Sequence, residues 1–148
     1  MKRWLLLIVS LALTGFVFSF SLASGEASGS LSLTLATAGK TALQWLFPGW
    51  EIQLESLHLV IRKSAHVFEY LLLGCSWTLT FRAFRWKPIW LLILALAIPL
   101  IDEGIQLFAV DRGPSLVDAL VFDLPGFLLG IGIIKATTNL ISKTKASN

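Results

Sequence analysis

The chain has very few charged residues and only one cysteine. Only 14% of its 148 residues are Asp, Glu, Lys or Arg, whereas 55% are apolar. A soluble globule of this size needs more polar surface, so the composition excludes that class. The single cysteine, Cys75, excludes an intrachain disulfide. The net charge of +3 is spread over short segments, so we expect no nucleic-acid partner, and membrane lipids as the partners of the basic residues.

Long apolar runs predict an all-α integral membrane helical bundle that forms one domain over residues 1–148. A helix needs about 20 apolar residues to cross a bilayer, and four segments approach that length: 4–23, 64–81, 88–110 and 116–134. The first span also resembles a secretory signal with a cleavage site after Ala23. Its apolar run is longer than a usual signal core, which favours a retained anchor, while cleavage would leave three spans.

Residues 24–63 form a segment between the first two spans. Small and hydroxyl residues at 25–32 predict a flexible linker. Apolar residues then recur at helical spacing over 33–46 and 52–61, separated by Pro48 and Gly49. Because Trp and Phe cluster around that break, we expect two short interfacial helices that cap the bundle, with a solvated loop as the alternative.

The basic residues predict a cell-membrane protein with both termini in the cytoplasm. With that orientation eight of the twelve basic residues lie on the inner side, as the positive-inside rule requires. They are Lys2, Arg3, Arg82, Arg85, Lys87, Lys135, Lys143 and Lys145. All nine acids then fall in outer loops or in the outer halves of spans, so we expect a polar site on the extracytoplasmic side.

Six acidic or imidazole side chains lie within or beside the apolar segments. They are His66, Glu69, Asp102, Glu103, Asp118 and Asp123. A charge at the centre of a membrane helix costs at least about 2.5 kcal/mol, so such residues usually face a bundle interior or a wet cavity. They therefore indicate a functional site.

Helical spacing and rise bring several polar residues to one predicted depth. Lys63, His66 and Tyr70 share a face of the second span, and Asp102 shares a face with Gln106 in the third. The next turn carries Arg112, which is suited to holding an anion. Ser115 and Asp118 fit a helix cap, so Asp118 has a structural explanation as well.

Asp123 lies deeper in the fourth span than Asp118. Pro125 follows it and frees a carbonyl in the preceding turn, which predicts a kink beside Asp123. Gly126 and Gly130 form a small-residue pair that favours close helix packing rather than ligand contact.

The polar motifs resemble the VanZ-like family of bacterial membrane proteins. The resemblance covers roughly residues 63–130. It is carried by Lys63, His66 and Tyr70; by Asp102, Glu103, Gln106, Phe108 and Arg112; and by Asp118, Asp123, Gly126 and Gly130. It implies a small multi-span envelope protein with a site facing the cell wall, associated with resistance to the glycopeptide teicoplanin. It does not name a reaction.

Two functions follow as alternatives. In the first, the pocket binds or shields a glycopeptide antibiotic or a lipid-linked wall precursor, without chemistry. In the second, His66, Asp102 and Glu103 are acid/base groups of an enzyme acting on such a substrate. In either case Lys63, Tyr70, Gln106, Arg112, Asp118 and Asp123 are candidate ligand-binding residues. No serine lies in an activated arrangement, and no tight ligand spacing predicts a metal or cofactor.

Overall fold

The computed structural model describes residues 2–23 and 25–146. Outside the described part lie Met1, Ser24, Ser147 and Asn148, and the side chains of Ala27, Ser28, Lys145 and Ala146, which include parts of the predicted linker and one of the predicted inner basic residues. The helices are α1 (Lys2–Leu22), α2 (Gly25–Leu46), α3 (Leu54–Phe84), α4 (Pro88–Gln106), α5 (Leu116–Asp118), a π-helical turn (Ala119–Asp123) and α6 (Leu124–Ala146). Residues 2–23 and 25–146 contain no strand, which confirms the all-α prediction.

Three helices are long and apolar enough to cross a membrane: Lys2–Leu22, Pro88–Gln106 and Leu116–Thr144. The predicted span at 64–81 lies inside α3 and is not one of them. Helix α3 is less apolar than those three because it carries polar residues such as His66 and Glu69, which lower its mean hydropathy.

Two local predictions for the segment before α3 are wrong. The expected linker at 25–32 is helical, because α2 begins at Gly25 and packs against α3. In that helix the Ser32 hydroxyl donates to the Gly29 carbonyl and also bonds the His58 imidazole of α3 at 2.7 Å. Such tertiary contacts override weak helix propensity. The helix expected at 52–61 is not separate either, because α3 continues through it, although the chain does break between Leu46 and Leu54.

The third predicted span ends earlier than expected. Helix α4 stops at Gln106 rather than near Val110, and tight turns follow in which Phe108 and Ala109 donate to the carbonyls of Ile105 and Gln106. This shortening places Arg112 and Ser115 in a loop that folds back onto the helix ends.

Helix α3 lies at the centre of the bundle. It is antiparallel to α1, since the Ser10 and Thr80 hydroxyls are 2.9 Å apart and Trp77 Nε1 donates to Thr14 Oγ1 at 3.1 Å. It is parallel to α6, because Gly126 packs beside Val67 and, further along both helices, Arg82 donates to Thr138.

Glycines allow α3 and α6 to approach closely. A Cβ added at Gly130 would lie 2.3 Å from the Leu71 carbonyl oxygen, and one at Gly74 would lie 2.1 Å from that of Phe127. Only a residue without a side chain fits at such positions. This backbone contact holds the acidic N-terminal part of the α5–α6 segment against the polar part of α3.

The bundle therefore has two chemically different ends. At the end with His66 and Asp102, called the site end below, polar side chains from several helices meet. The other end, called the basic end, is formed by the start of α1, the end of α3, the start of α4 and the end of α6. No acidic residue occurs in any of those four stretches.

Candidate functional site

A histidine–carboxylate pair joins α3 to the π-helical turn. His66 Nδ1 lies 3.2 Å from Asp123 Oδ1, and Asp123 is fully buried. Pro125 has no N–H, and the wider turn before it forms as Leu124 donates to the Ala119 carbonyl. Such π-turns often occur at functional sites. The contact with Asp123 occupies Nδ1, so Nε2 is the ring nitrogen left for a ligand.

Asp102 is the most isolated acid of the site. Its side chain is 1% exposed, and neither carboxylate oxygen has a hydrogen-bond partner within the described residues. Ser21 and Tyr70 are its nearest polar neighbours, and the buried Tyr70 hydroxyl and Asp123 Oδ2 are likewise without a hydrogen-bond partner there. Each such group costs about 1–3 kcal/mol. Buried polar groups without partners are more typical of a functional site than of polar contacts that only hold helices together.

A cavity of about 220 Å³ opens at this place. It lies between the end of α1, the first half of α2, α3, the last part of α4 and the loop after α4. Its polar lining consists of Ser21, Ser32, Arg62, His66, Glu69, Asp102 and Arg112, and its apolar wall includes Phe20, Leu31, Leu35 and Ile61. Three of the predicted site residues, His66, Asp102 and Arg112, thus share one cavity.

Two arginines line the cavity without an ion pair in the described part of the chain. Arg112 is held by backbone carbonyls, since Nη2 donates to Phe20 at 2.7 Å and Nε to Ala23 at 3.3 Å. Burial lowers the pKa of the Arg112 guanidinium below its usual value, and the neighbouring charge of Arg62 lowers it further. Two like charges that face one cavity favour an anion between them.

Glu103, a predicted acid/base group, makes two hydrogen bonds outside the cavity. Its Oε2 accepts a 2.6 Å hydrogen bond from the backbone N–H of Ser115, and its Oε1 accepts one from Gln106 Nε2 at 3.1 Å. Neither Glu103 nor Gln106 lines the cavity. The bond from Ser115 tethers the loop after α4 to the end of that helix, and the bond from Gln106 lies within the helix.

Lys63 and Asp118 also lie away from the cavity. They form an ion pair with each other, and the Lys63 ammonium lies 5.3 Å from the centre of the Phe122 ring. Ser115 caps the following helix by accepting the Asp118 N–H at 3.3 Å. The contacts with Ser115 and Lys63 therefore support a structural role of Asp118 at the start of the helix.

The sequence predictions missed part of the cavity wall. Arg62 precedes His66 by four residues and Glu69 by seven, so helical spacing alone would have placed these three on one face. Ser21 and helix α2 gave no such signal, because their position depends on how α1 and α2 pack against α3.

No group of three or more His, Cys, Asp or Glu side chains in the described ranges is arranged to hold a metal ion. The lining of the cavity combines two arginines, Arg62 and Arg112, with the carboxylates of Glu69 and Asp102.

A family model described as VanZ/LLP1 matches residues 4–141, nearly the whole chain. No curated protein and no solved structure matches the chain. The match extends beyond the motifs of the site to α1 and α2, which supply the walls of the cavity.

Proposed function

Because this chain belongs to the VanZ/LLP1 family, we propose that it is a four-span envelope membrane protein that binds the anionic head group of an amphiphilic molecule. The observation that carries this proposal is the pair Arg62 and Arg112 on one cavity, neither paired with a carboxylate in the described residues. Arginine binds phosphate and carboxylate through two parallel hydrogen bonds, which gives strength and orientation.

The cavity size limits what it holds. Pockets for drug-sized ligands usually measure roughly 300–1,000 Å³, whereas this cavity measures about 220 Å³. It therefore suits one head group of a larger molecule. The apolar wall formed by Phe20, Leu31, Leu35 and Ile61 supports an attached hydrocarbon chain.

Helix α3 is the fourth span in this proposal. Its polar residues face partners rather than lipid: His66 bonds Asp123, Trp77 bonds Thr14 and Thr80 bonds Ser10. A helix that satisfies its polar groups within a bundle can cross the bilayer despite low hydropathy. The same bonds tie α1 to the bundle, which supports its retention as an anchor.

The proposed orientation puts the basic end in the cytoplasm and the cavity on the extracytoplasmic side. Eight basic residues at one end and no acids in the four helical stretches that form it support this choice. A cavity at the outer leaflet would meet lipid-linked wall precursors and acylated glycopeptides. Both join an anionic group to a hydrocarbon chain, and binding either one offers a route to glycopeptide resistance.

The test compares binding by purified full-length variants in detergent. We expect Arg62→Gln to reduce retention of an isoprenoid diphosphate, measured by native mass spectrometry, at least about tenfold, the value of one charged hydrogen bond. Arg62→Lys should keep part of the retention. The matched control is Lys40→Gln, which removes one charge outside the cavity and should have no effect.

A parallel arm with an acylated glycopeptide distinguishes the two ligand sources. Retention of only one of them identifies the source. Equal retention of both ligands by wild type, Arg62→Gln and Lys40→Gln would show that the cavity is not the binding site.

The His66–Asp123 pair favours a second candidate, acid/base catalysis on the bound molecule. A carboxylate that fixes one imidazole nitrogen leaves the other oriented for proton transfer. If wild type converts the isoprenoid diphosphate and His66→Gln binds it without conversion, the protein is an enzyme. Recovery of unchanged ligand from wild type and from His66→Gln alike would reject catalysis on that substrate and leave binding.

A further inference from the structure

A second cleft, of about 190 Å³, lies at the basic end of the bundle between α3, α4 and α6. Its charged lining residues are Arg82 and Lys135, and Phe81, Trp86, Pro88 and Leu91 form most of the remaining wall. It is separate from the cavity of the site end, because Arg82 follows His66 by sixteen positions along α3. At about 1.5 Å per residue this is about 24 Å along the helix.

The charge at this end is of one sign. All eight basic residues assigned above to the inner side belong to the stretches that form it or to the turn beside them. Helix α1, α3 after Glu69, α4 before Asp102 and all of α6 contain no acid. Arg82 and Lys135 therefore have no carboxylate nearby to neutralise them, and neither makes an ion pair within the described residues.

Two contacts fix the walls of the cleft. Arg82 Nη1 donates to Thr138 Oγ1 at 2.6 Å, which holds the guanidinium at the rim and leaves its other donors unused by that bond. Trp86 stacks on Phe84 at 4.9 Å and meets Phe81 edge-on at 5.1 Å. The left-handed backbone of Arg85 (φ 56°) turns the chain so that Trp86 returns over the end of α3.

We propose that this cleft binds the phosphate of an anionic membrane phospholipid. Arg82 and Lys135 hold the phosphate, while Trp86 and Leu91 contact the glycerol and the first part of the acyl chains. Basic clefts between membrane helices are suited to lipid phosphates, and tryptophan prefers the depth of the head groups. The fixed guanidinium and the apolar wall distinguish this cleft from a diffuse basic surface.

The experiment uses the full-length chain, delipidated in detergent and offered phosphatidylglycerol or phosphatidylcholine. We expect wild type to retain phosphatidylglycerol in preference to phosphatidylcholine by native mass spectrometry. The double variant Arg82→Gln/Lys135→Gln should retain at least about fivefold less phosphatidylglycerol, since each basic residue contributes to the attraction. Arg82→Lys, which keeps the charge, should retain most of the lipid.

The matched control is Lys87→Gln/Lys143→Gln, which removes the same charge from the same end without altering the cleft lining. Equal loss in both double variants would overturn the proposal in favour of diffuse attraction, and equal retention of both lipids by wild type would overturn it as well. Excess inorganic phosphate should not displace the lipid; if it does, the cleft takes free phosphate and the lipid assignment is wrong.

This inference uses the proposed membrane insertion but not the proposed ligand of the site end. Arg62→Gln should leave phosphatidylglycerol retention unchanged. A protein that fails to bind isoprenoid diphosphate and still retains phosphatidylglycerol through Arg82 would contradict the first proposal alone, and the reverse result would contradict the second alone.

Discussion

The imidazole of His66 and the carboxylate of Asp123 meet across two helical segments, with Nδ1 and Oδ1 3.2 Å apart. The contact requires both the close packing of α3 and α6 and the π-helical turn before Pro125. It fixes one nitrogen of the ring and leaves the other for the cavity that His66 lines.

The tautomer of His66 depends on this contact. In wild type we expect the proton on Nδ1, since Asp123 accepts there. In Asp123→Ala the acceptor is lost, so the proton should shift toward Nε2. Nitrogen NMR of histidine-labelled protein in micelles measures the tautomer, with Asp123→Asn as the control because its amide oxygen still accepts. An Nε2 proton in wild type would contradict the assignment.

The buried carboxylate of Asp102 should lower the stability of the protein. Asp102→Asn removes a buried carboxylate whose two oxygens lack partners in the described residues, so the free energy of unfolding should rise by about 1 kcal/mol or more. Retention of the anionic ligand should not fall in the same variant, because a carboxylate that lines the cavity repels an anion. Thermal unfolding in detergent measures the effect on stability, and the exposed Asp111→Asn, at a position where Asn tolerates the positive φ, is the control. A lower melting temperature for Asp102→Asn would count against this account.

The glycine contact between α3 and α6 should tolerate no methyl group. Gly130→Ala places a Cβ 2.3 Å from the Leu71 carbonyl oxygen, and we expect a loss of about 1–3 kcal/mol of stability. Gly132→Ala, two residues away with no atom within 4 Å of the added Cβ, should be neutral or stabilising, since alanine favours helix. Denaturant titration followed by circular dichroism compares them. Similar destabilisation of both variants would argue against this helix contact.

The proposed orientation has a labelling test. In a Cys75→Ala background, Gly113→Cys should react with a membrane-impermeant thiol reagent in intact cells, and Lys143→Cys should react only after permeabilisation. Gly113 is exposed, has open space around it and lacks a positive φ, so the substitution should not disturb the loop. The reverse labelling pattern would invert the orientation.

The spacing of polar residues within each predicted helix predicted part of the candidate site. His66 and Asp102 were expected at one depth, with Arg112 beside them, and all three line one cavity. Lys63 and Glu103 were expected beside them, yet Lys63 pairs with Asp118 and Glu103 binds the Ser115 backbone. Spacing fixes which face of its own helix a residue occupies, but it does not determine which neighbouring helix covers that face.

Composition and periodicity alone determined that this chain is helical and suited to a membrane, and that its acids lie away from the segments that carry eight of its twelve basic residues. Those properties depend on local hydropathy and on the rise of a helix. Only the tertiary structure decided that α2 is helical from Gly25, that Arg62 and Ser21 join the cavity, and that Asp123 holds His66. These depend on the close approach of α3 to its neighbours. Glycine contacts bring α3 to α6, and side-chain hydrogen bonds between residues distant in sequence bring it to α1 and α2.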